Sequence, residues 1–232
     1  MIPAILRIIT AGVLAGVLIE TGAASKIAET IIEKLGESKA IIAIVLSTMI
    51  LTMVGVFIDV SVITVAPIAM AIAKRTNISR TGALIAMIGG GKAGNIMSPN
   101  PNTIAAADAF KVPLTSVMMA GVIPAIFGVI VTVVVAKFLS KKGTQIVDND
   151  LGDKKDGEKP SFISAILGPV VAIGILALRP IVGITIDPLI ALPIGGLVGC
   201  LAMGKIKNFN SYCVFGLGTV SYTHLRAHET TL

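Results

Sequence analysis

The sequence predicts an all-α integral membrane protein, and three observations carry that reading. Of the 232 residues, 54% are hydrophobic and 14% charged, against about 25% charged residues in a soluble domain. The apolar residues fall in runs approaching the roughly 20 residues needed to cross a bilayer. The mean hydropathy is +0.92, and the apolar mass is aliphatic, with 4% aromatic residues, no Trp and 24 Gly, as in closely packed membrane helices. An ordinary cytosolic domain is excluded. The formal net charge of +6 does not indicate a nucleic-acid partner, because Lys and Arg sit between apolar runs rather than on one basic face. They read as topology determinants. Cys200 and Cys213 have no short-range partner spacing, so neither a disulfide framework nor a metal site is implied, and no cofactor is expected.

The first element spans 2–19, apolar except for Arg7. Arg7, the apolar stretch and the small residues at 22–25 also imitate a signal peptide, but the membrane-rich remainder favours a retained helix. Residues 20–39 alternate charged residues with Ile and Leu at helical spacing, which suits an amphipathic connector at the membrane surface. The stretch 40–73 carries one charge, Asp59. It is too long for one comfortable crossing and too short for two with a turn, so a helical hairpin dipping part-way into the membrane is expected. Gly55 supplies the break, and Asp59, Ser61 and Thr64 supply polar partners for it. The loop at 74–80 returns to the surface. Residues 81–110 read as an interrupted helix, with the break assigned to Gly89, Gly90, Gly91, Pro99 and Pro101. A clear span follows at 112–136, which Gly121, Pro124 and Gly128 are expected to bend. Residues 140–161 are polar and read as a linker between two halves. Spans at 162–178 and 188–204 complete the pattern.

With a hairpin that does not cross, fourteen of the 19 Lys and Arg residues fall on one side, the linker included, and Arg7, Lys111 and Arg179 on the other. The positive-inside rule then predicts a cytoplasmic linker in a multi-pass protein of the cell (plasma or inner) membrane. A single crossing of the hairpin would weaken the bias to 12 against 5.

The segment 219–232 changes character. Its VSYTHLRAHET matches a reading frame of a transposase sequencing adapter, so these residues are expected to be read-through and the chain a fragment truncated inside its second half. His224 and His228 have the four-residue spacing of zinc ligands on a helix, but the adapter reading removes them and no metal site is expected.

Chemistry is expected at GGGKAGNIMSPNPNTIAAAD, because a helix interrupted at membrane depth frees backbone groups where no bulk water competes. The amides opening the half after Asn102 would aim positive dipole at an anion, with Ser98, Asn100, Asn102 and Thr103 adding donors and acceptors. The alternative is that Gly and Pro merely kink a span while the Asn residues satisfy loose backbone. Lys92, alone in an apolar region, would neutralise an anionic substrate or else snorkel to the surface. Asp59 is a candidate proton carrier, since burial raises a carboxyl pKa, or else a cap at the hairpin break. GGGKAG lacks the hydroxyl residue and strand of a phosphate-binding loop, and an intramembrane aspartyl protease would need a second carboxylate facing Asp59. No enzyme is expected.

At GGGKAGNIMSPNPNTIAAADAF, followed by VPLTSVMMAGVIPAIFGVIV, and at the hairpin GVFIDVSVITVAPI, the sequence resembles the gluconate permease (GntP) family of the ion transporter superfamily, from about Ile8 to Leu139. The resemblance implies an inverted-repeat secondary transporter, each repeat with a re-entrant hairpin and an interrupted helix. Residues 1–139 would form most of the first repeat and 162–218 the start of the second, without the family's earliest helices. It also implies proton-coupled symport of gluconate or a related sugar acid, with Ser98, Asn100, Asn102 and Thr103 at the site; together with the residue reading, Lys92 and Asn95 are also expected to bind substrate and Asp59 to couple the proton. Lys92, Asn95 and SPNPN stand where gluconate carriers have His and Pro-rich text, which leaves citrate-like and other carboxylates open. A cation/proton antiporter on the same scaffold is the alternative. The expected partners are a small organic anion, a proton or sodium ion and the lipid bilayer, and a homodimer is left open.

Overall fold

The computed structural model describes residues 2–147, 159–184 and 186–220. The regular structure among them is helical throughout: α1 (Ile2–Glu20), α2 (Ala23–Leu35), α3 (Ala40–Met53), α4 (Ile58–Arg75), α5 (Arg80–Asn95), α6 (Pro101–Ala109), α7 (Leu114–Leu139), α8 (Phe162–Val182), α9 (Pro188–Ala202) and α10 (Phe209–Val220). The chain is therefore the all-α membrane protein that its composition predicts. The adapter-like residues from 221 onward, with His224 and His228, and the linker residues 148–158 lie outside the described residues.

Among the described residues two helices, α7 and α8, are each long and apolar enough to cross a membrane, and α1 with α2 makes a third if the pair, bent by 64°, is one span. The outer face of α7 shows why it needs lipid. Ile123 is 78% exposed and Phe127 69%, a continuous apolar surface that water would penalise. The amphipathic segment after α1 forms as expected, with α2 burying Ala23, Ala24, Ile27, Ala28 and Ile32 and leaving its charges outward.

The segment 40–73 is two helices, α3 and α4, separated at 54–57 by a turn in which Gly55 takes φ +102°, a conformation open to glycine. The hairpin closes at its base, where Arg75 approaches Glu37 at 3.7 Å. A turn with Asn77 at φ 53° leads to α5, which Ser79 caps by accepting from the Gly82 N–H.

Sequence reasoning places a break at Gly89–Gly91, and the structure corrects it. Helix α5 runs unbroken from Arg80 to Asn95, and the interruption is confined to 96–100. Packing explains the glycines. A methyl on Gly89 would overlap Thr132 of α7, one on Gly90 would overlap the Val45 carbonyl of α3, and one on Gly91 would crowd Ile58 at the start of α4. They let α3 approach α5 at backbone distance and let the Thr132 and Ile58 side chains of α7 and α4 press onto it.

The other small residues also have partners. Gly12 and Gly16 receive Gly216 and Tyr212 of α10, while Gly195 and Gly199 of α9 meet Gly168 of α8. Helix α10 has no counterpart among the predicted spans, and it lies along α1, which is held between α9 and α10.

Charges separate by location. Arg7, Asp108, Lys111, Arg179 and Asp187 surround one opening. Away from it, Lys159 pairs with Glu29, Lys205 donates to the Thr21 carbonyl at 3.2 Å, and Ser79 N–H donates to the Ser140 carbonyl at 2.7 Å. The three basic residues that the charge count set apart thus stand together.

Candidate functional site

The interruption between α5 and α6 is built around one side chain. Asn100 is fully buried. Its Nδ2 donates to the carbonyl of Asn95 and to Ser98 Oγ at 2.6 Å, while its Oδ1 accepts from the N–H of Asn102 at 2.7 Å and of Thr103 at 3.4 Å. Thr103 completes a capping box: its hydroxyl accepts from the Asn100 N–H at 3.2 Å and donates to the Ser98 carbonyl. Ser98 Oγ donates back to Asn95 O at 3.2 Å. Pro101 stands at the first helical position of α6, where its missing N–H costs nothing, and Pro99 lies within the turn.

Two neighbours press on this turn. Gly121 of α7 faces the Ile96 carbonyl, and Gly94 of α5 faces the Met49 carbonyl and Thr52 hydroxyl of α3, each so closely that a methyl would overlap. With Ile58 against Gly91, the tip of the α3–α4 hairpin and the end of α5 converge. Helix α1 lies behind them, with Leu14 beside Gly55 and Ala15 packed with Phe57. Gly94, Gly121, Met49 and Thr52 are the positioning residues that sequence reasoning missed. Gly94 stood in plain view in GGGKAGN, whereas Gly121 was assigned to bending α7.

The predicted site residues divide into two sets. Asn95, Ser98, Asn100 and Thr103 come together, all at most 7% exposed, and their polar atoms bond one another. The amides at the start of α6, which the sequence offers to an anion, are instead taken by Asn100 Oδ1. For these residues the reading in which Asn satisfies loose backbone is the one the geometry favours. Lys92, Asn102 and Asp59 are exposed, and among the described residues none of these side chains has a hydrogen-bonding or ionic partner. Asp59 therefore lacks the burial that the proton-carrier reading assumed. It sits in the first turn of α4, where a negative charge suits the helix dipole, and Phe57 rather than Asp59 is the cap residue. Two residues on, Ser61 Oγ is buried without a hydrogen-bond partner, the one such side-chain atom among the described residues.

Chemically, among the described residues, the arrangement is a self-satisfied turn, with the unpaired Lys92 on the preceding helix, the unpaired Asn102 just after it and the unpaired Asp59 at the start of α4. It has no cluster of metal-ligating groups among the described residues. A scan of protein families matches residues 2–198 to the GntP family permease, further than the resemblance read from the motifs, which ended at Leu139. A Haemophilus influenzae protein named as an uncharacterized transporter is 59% identical over 218 residues, covering 94% of this chain and 52% of the relative. A second protein of that organism, named as an uncharacterized permease, is 29% identical over 137 residues, covering 58% of this chain and 28% of the relative. The chain thus spans about half the length of the first and less of the second. No solved structure matches it.

Proposed function

The chain belongs to the GntP family of permeases, and from that premise we propose that it is part of a secondary active transporter for a small organic anion, gluconate or a related sugar acid, coupled to protons. The observation that carries this reading is the approach of the α3–α4 hairpin tip to the last turn of α5, with Gly91 against Ile58 and Gly94 against Met49 and Thr52, just before the interruption at 96–100 inside an apolar bundle. In lipid, irregular backbone is tolerated where it is buried in protein or lines a cavity, and transporters place substrate at such breaks.

In this reading Asn100 with Asn95, Ser98 and Thr103 preorganises the turn. Lys92 and Asn102 face the substrate, Lys92 supplying the charge that a carboxylate needs and Asn102 an amide for a hydroxyl group. Asp59 is the coupling carboxylate. Substrate and proton would then stabilise the same closed state. In this reading the charge bias supports an opening around Arg7 outside the cell and a cytoplasmic 140–161 linker.

The test is uptake of radiolabelled gluconate by cells expressing the gene completed to the length of its relatives, with and without a proton uncoupler, beside Asp59→Asn, Lys92→Gln and Asn102→Ala. Uptake that the uncoupler abolishes and the three variants lose supports symport at this face. No uptake by a well-expressed protein rejects gluconate, and proton-driven cation exchange retained by Lys92→Gln would favour the antiporter.

A further inference from the structure

One well-formed cavity among the described residues is not at the break. It lies at the far end of α6, about 380 Å³ in volume, and nothing in the transport reading uses it. Charged side chains ring it. Arg7 of α1 binds Asp187 in a fork, with Nε to Oδ1 at 2.9 Å and Nη2 to Oδ2 at 2.6 Å, and reaches Asp108 of α6 at 3.7 Å. The two carboxylates are thereby occupied by one guanidinium. Lys111 and Arg179 line the same space and have no ionic partner among the described residues, which leaves the ring with an excess of one positive charge, three cations against two carboxylates.

Two further features favour negative charge there. The first turn of α7 lines the cavity through Pro113, Leu114 and Thr115, and its cap residue, Pro113, offers no side-chain acceptor, so the positive end of a 26-residue helix lies at the space. Lys111 also holds φ 51°, a left-handed position just past the end of α6 where helices ordinarily place Gly or Asn. A lysine costs more there than glycine, and its charge is the property glycine lacks.

We propose that this cavity is a vestibule site for a small carboxylate anion, which Lys111 and Arg179 hold beside the start of α7 before it moves to the break. The proposal rests on the transport reading for its ligand. Helix α6 joins the two places: Asp108 is at its vestibule end and Asn100 caps the other, 9 residues or about 13 Å away. A cationic cavity with apolar walls raises the local concentration of an anion and its rate of entry, and salt weakens the effect.

Two measurements on the completed protein test it. In the first, the purified wild-type protein is acetylated with and without millimolar D-gluconate or succinate, with glucose as the neutral control and Lys141 as the internal reference. Either carboxylate is expected to slow modification of Lys111 about threefold or more while glucose does not; equal reaction under all conditions overturns the proposal. In the second, uptake by Lys111→Gly and Arg179→Gln is expected to show a half-saturating concentration raised about three- to tenfold at low salt, converging on wild type at high salt, with the maximal rate within about twofold. Lys111→Gly is chosen because glycine suits the backbone there, so misfolding does not mimic the result. Unchanged half-saturation in both variants, or a loss confined to the maximal rate, overturns it. Protection of Lys111 without any uptake by the wild type would sink the transport reading and leave the vestibule standing, whereas uptake with neither protection nor a kinetic shift would do the reverse.

Discussion

Asn100 holds Asn95 across the gap between α5 and α6, its side-chain amide bonded to the carbonyl that ends one helix and its oxygen to the amides that begin the next. One buried side chain closes both helix ends. Replacing it with Ala removes a cap, worth about 1 kcal/mol, and strands buried carbonyl and amide groups, for about 1–3 kcal/mol more. Asn100→Ala is expected to melt well below wild type in detergent while Asn102→Ala, exposed and unbonded, melts with it. Equal melting of the two variants would show that the turn does not depend on the cap.

Gly90 and Gly174 offer a matched pair. A methyl at Gly90 overlaps the Val45 backbone, whereas one at Gly174 of α8 meets nothing within 4 Å. Gly174→Ala should be neutral or stabilising by up to about 1 kcal/mol, and Gly90→Ala should destabilise by about 1–3 kcal/mol as α3 is forced away. Thermal denaturation of both proteins in the same detergent decides it, and a Gly90→Ala that melts no lower than Gly174→Ala would contradict the close approach.

Ser61 presents a hydroxyl that is buried and unpaired. If it serves only the fold, Ser61→Ala should leave stability unchanged or raise it by about 1 kcal/mol and leave uptake intact. If the hydroxyl contributes to a site at the hairpin tip, uptake should fall with no loss of melting temperature. Measuring both on one preparation separates the roles, and a clear drop in melting temperature is the result neither accommodates.

The Arg7–Asp187 pair makes a prediction about pH. The Arg7 hydrogen bond holds the Asp187 carboxyl below its ordinary value of 3.8, with the Leu189 N–H adding to it and burial opposing. A carboxylate depressed on folding contributes stability that is present above its ordinary value and lost as pH falls through the depressed one. Asp187→Asn should therefore weaken the protein equally at about pH 5 and about pH 8, with the gap to wild type closing only below about pH 4. With the two side chains 31% and 38% exposed, solvent keeps that gap near 1 kcal/mol or less. A gap that changes between the two higher pH values would mean that another group titrates with the pair.

Most of the helical plan was legible in the sequence because apolar run length and turn residues are local properties. The hairpin, its Gly55 turn, the long α7 and the grouping of Arg7 with Lys111 and Arg179 all follow from them. The break was misplaced for a physical reason. Glycine weakens an isolated helix, but Gly90 sits against the Val45 backbone and Gly89 and Gly91 against the Thr132 and Ile58 side chains, and close packing stabilises what propensity opposes. The site was half legible. Which residues gather at 95–103 could be read from their types; whether their polar groups face a ligand or each other depends on three-dimensional geometry, and Asn100 turned them inward. Asp59 was judged buried from its apolar neighbours in sequence, yet a helix in this hairpin has an outer face, and Asp59 is on it. The short helix α10 escaped because its apolar content is modest and its reason for existing is Gly12 and Gly16, some 200 residues away by sequence number.

The fork between Arg7 and Asp187 joins residues 180 positions apart, and that separation sets a timetable. At a synthesis rate of about 5–20 residues per second, the first helix exists for on the order of 10 to 40 s before its carboxylate partner leaves the ribosome. Asp108 emerges sooner but reaches Arg7 only at 3.7 Å. Through that interval an unmatched guanidinium sits on an apolar helix, where it is expected to stay at the headgroup boundary and hold the helix shallow. Helix α1 would then gain its carboxylate partner only late in synthesis, when α9 arrives with Asp187.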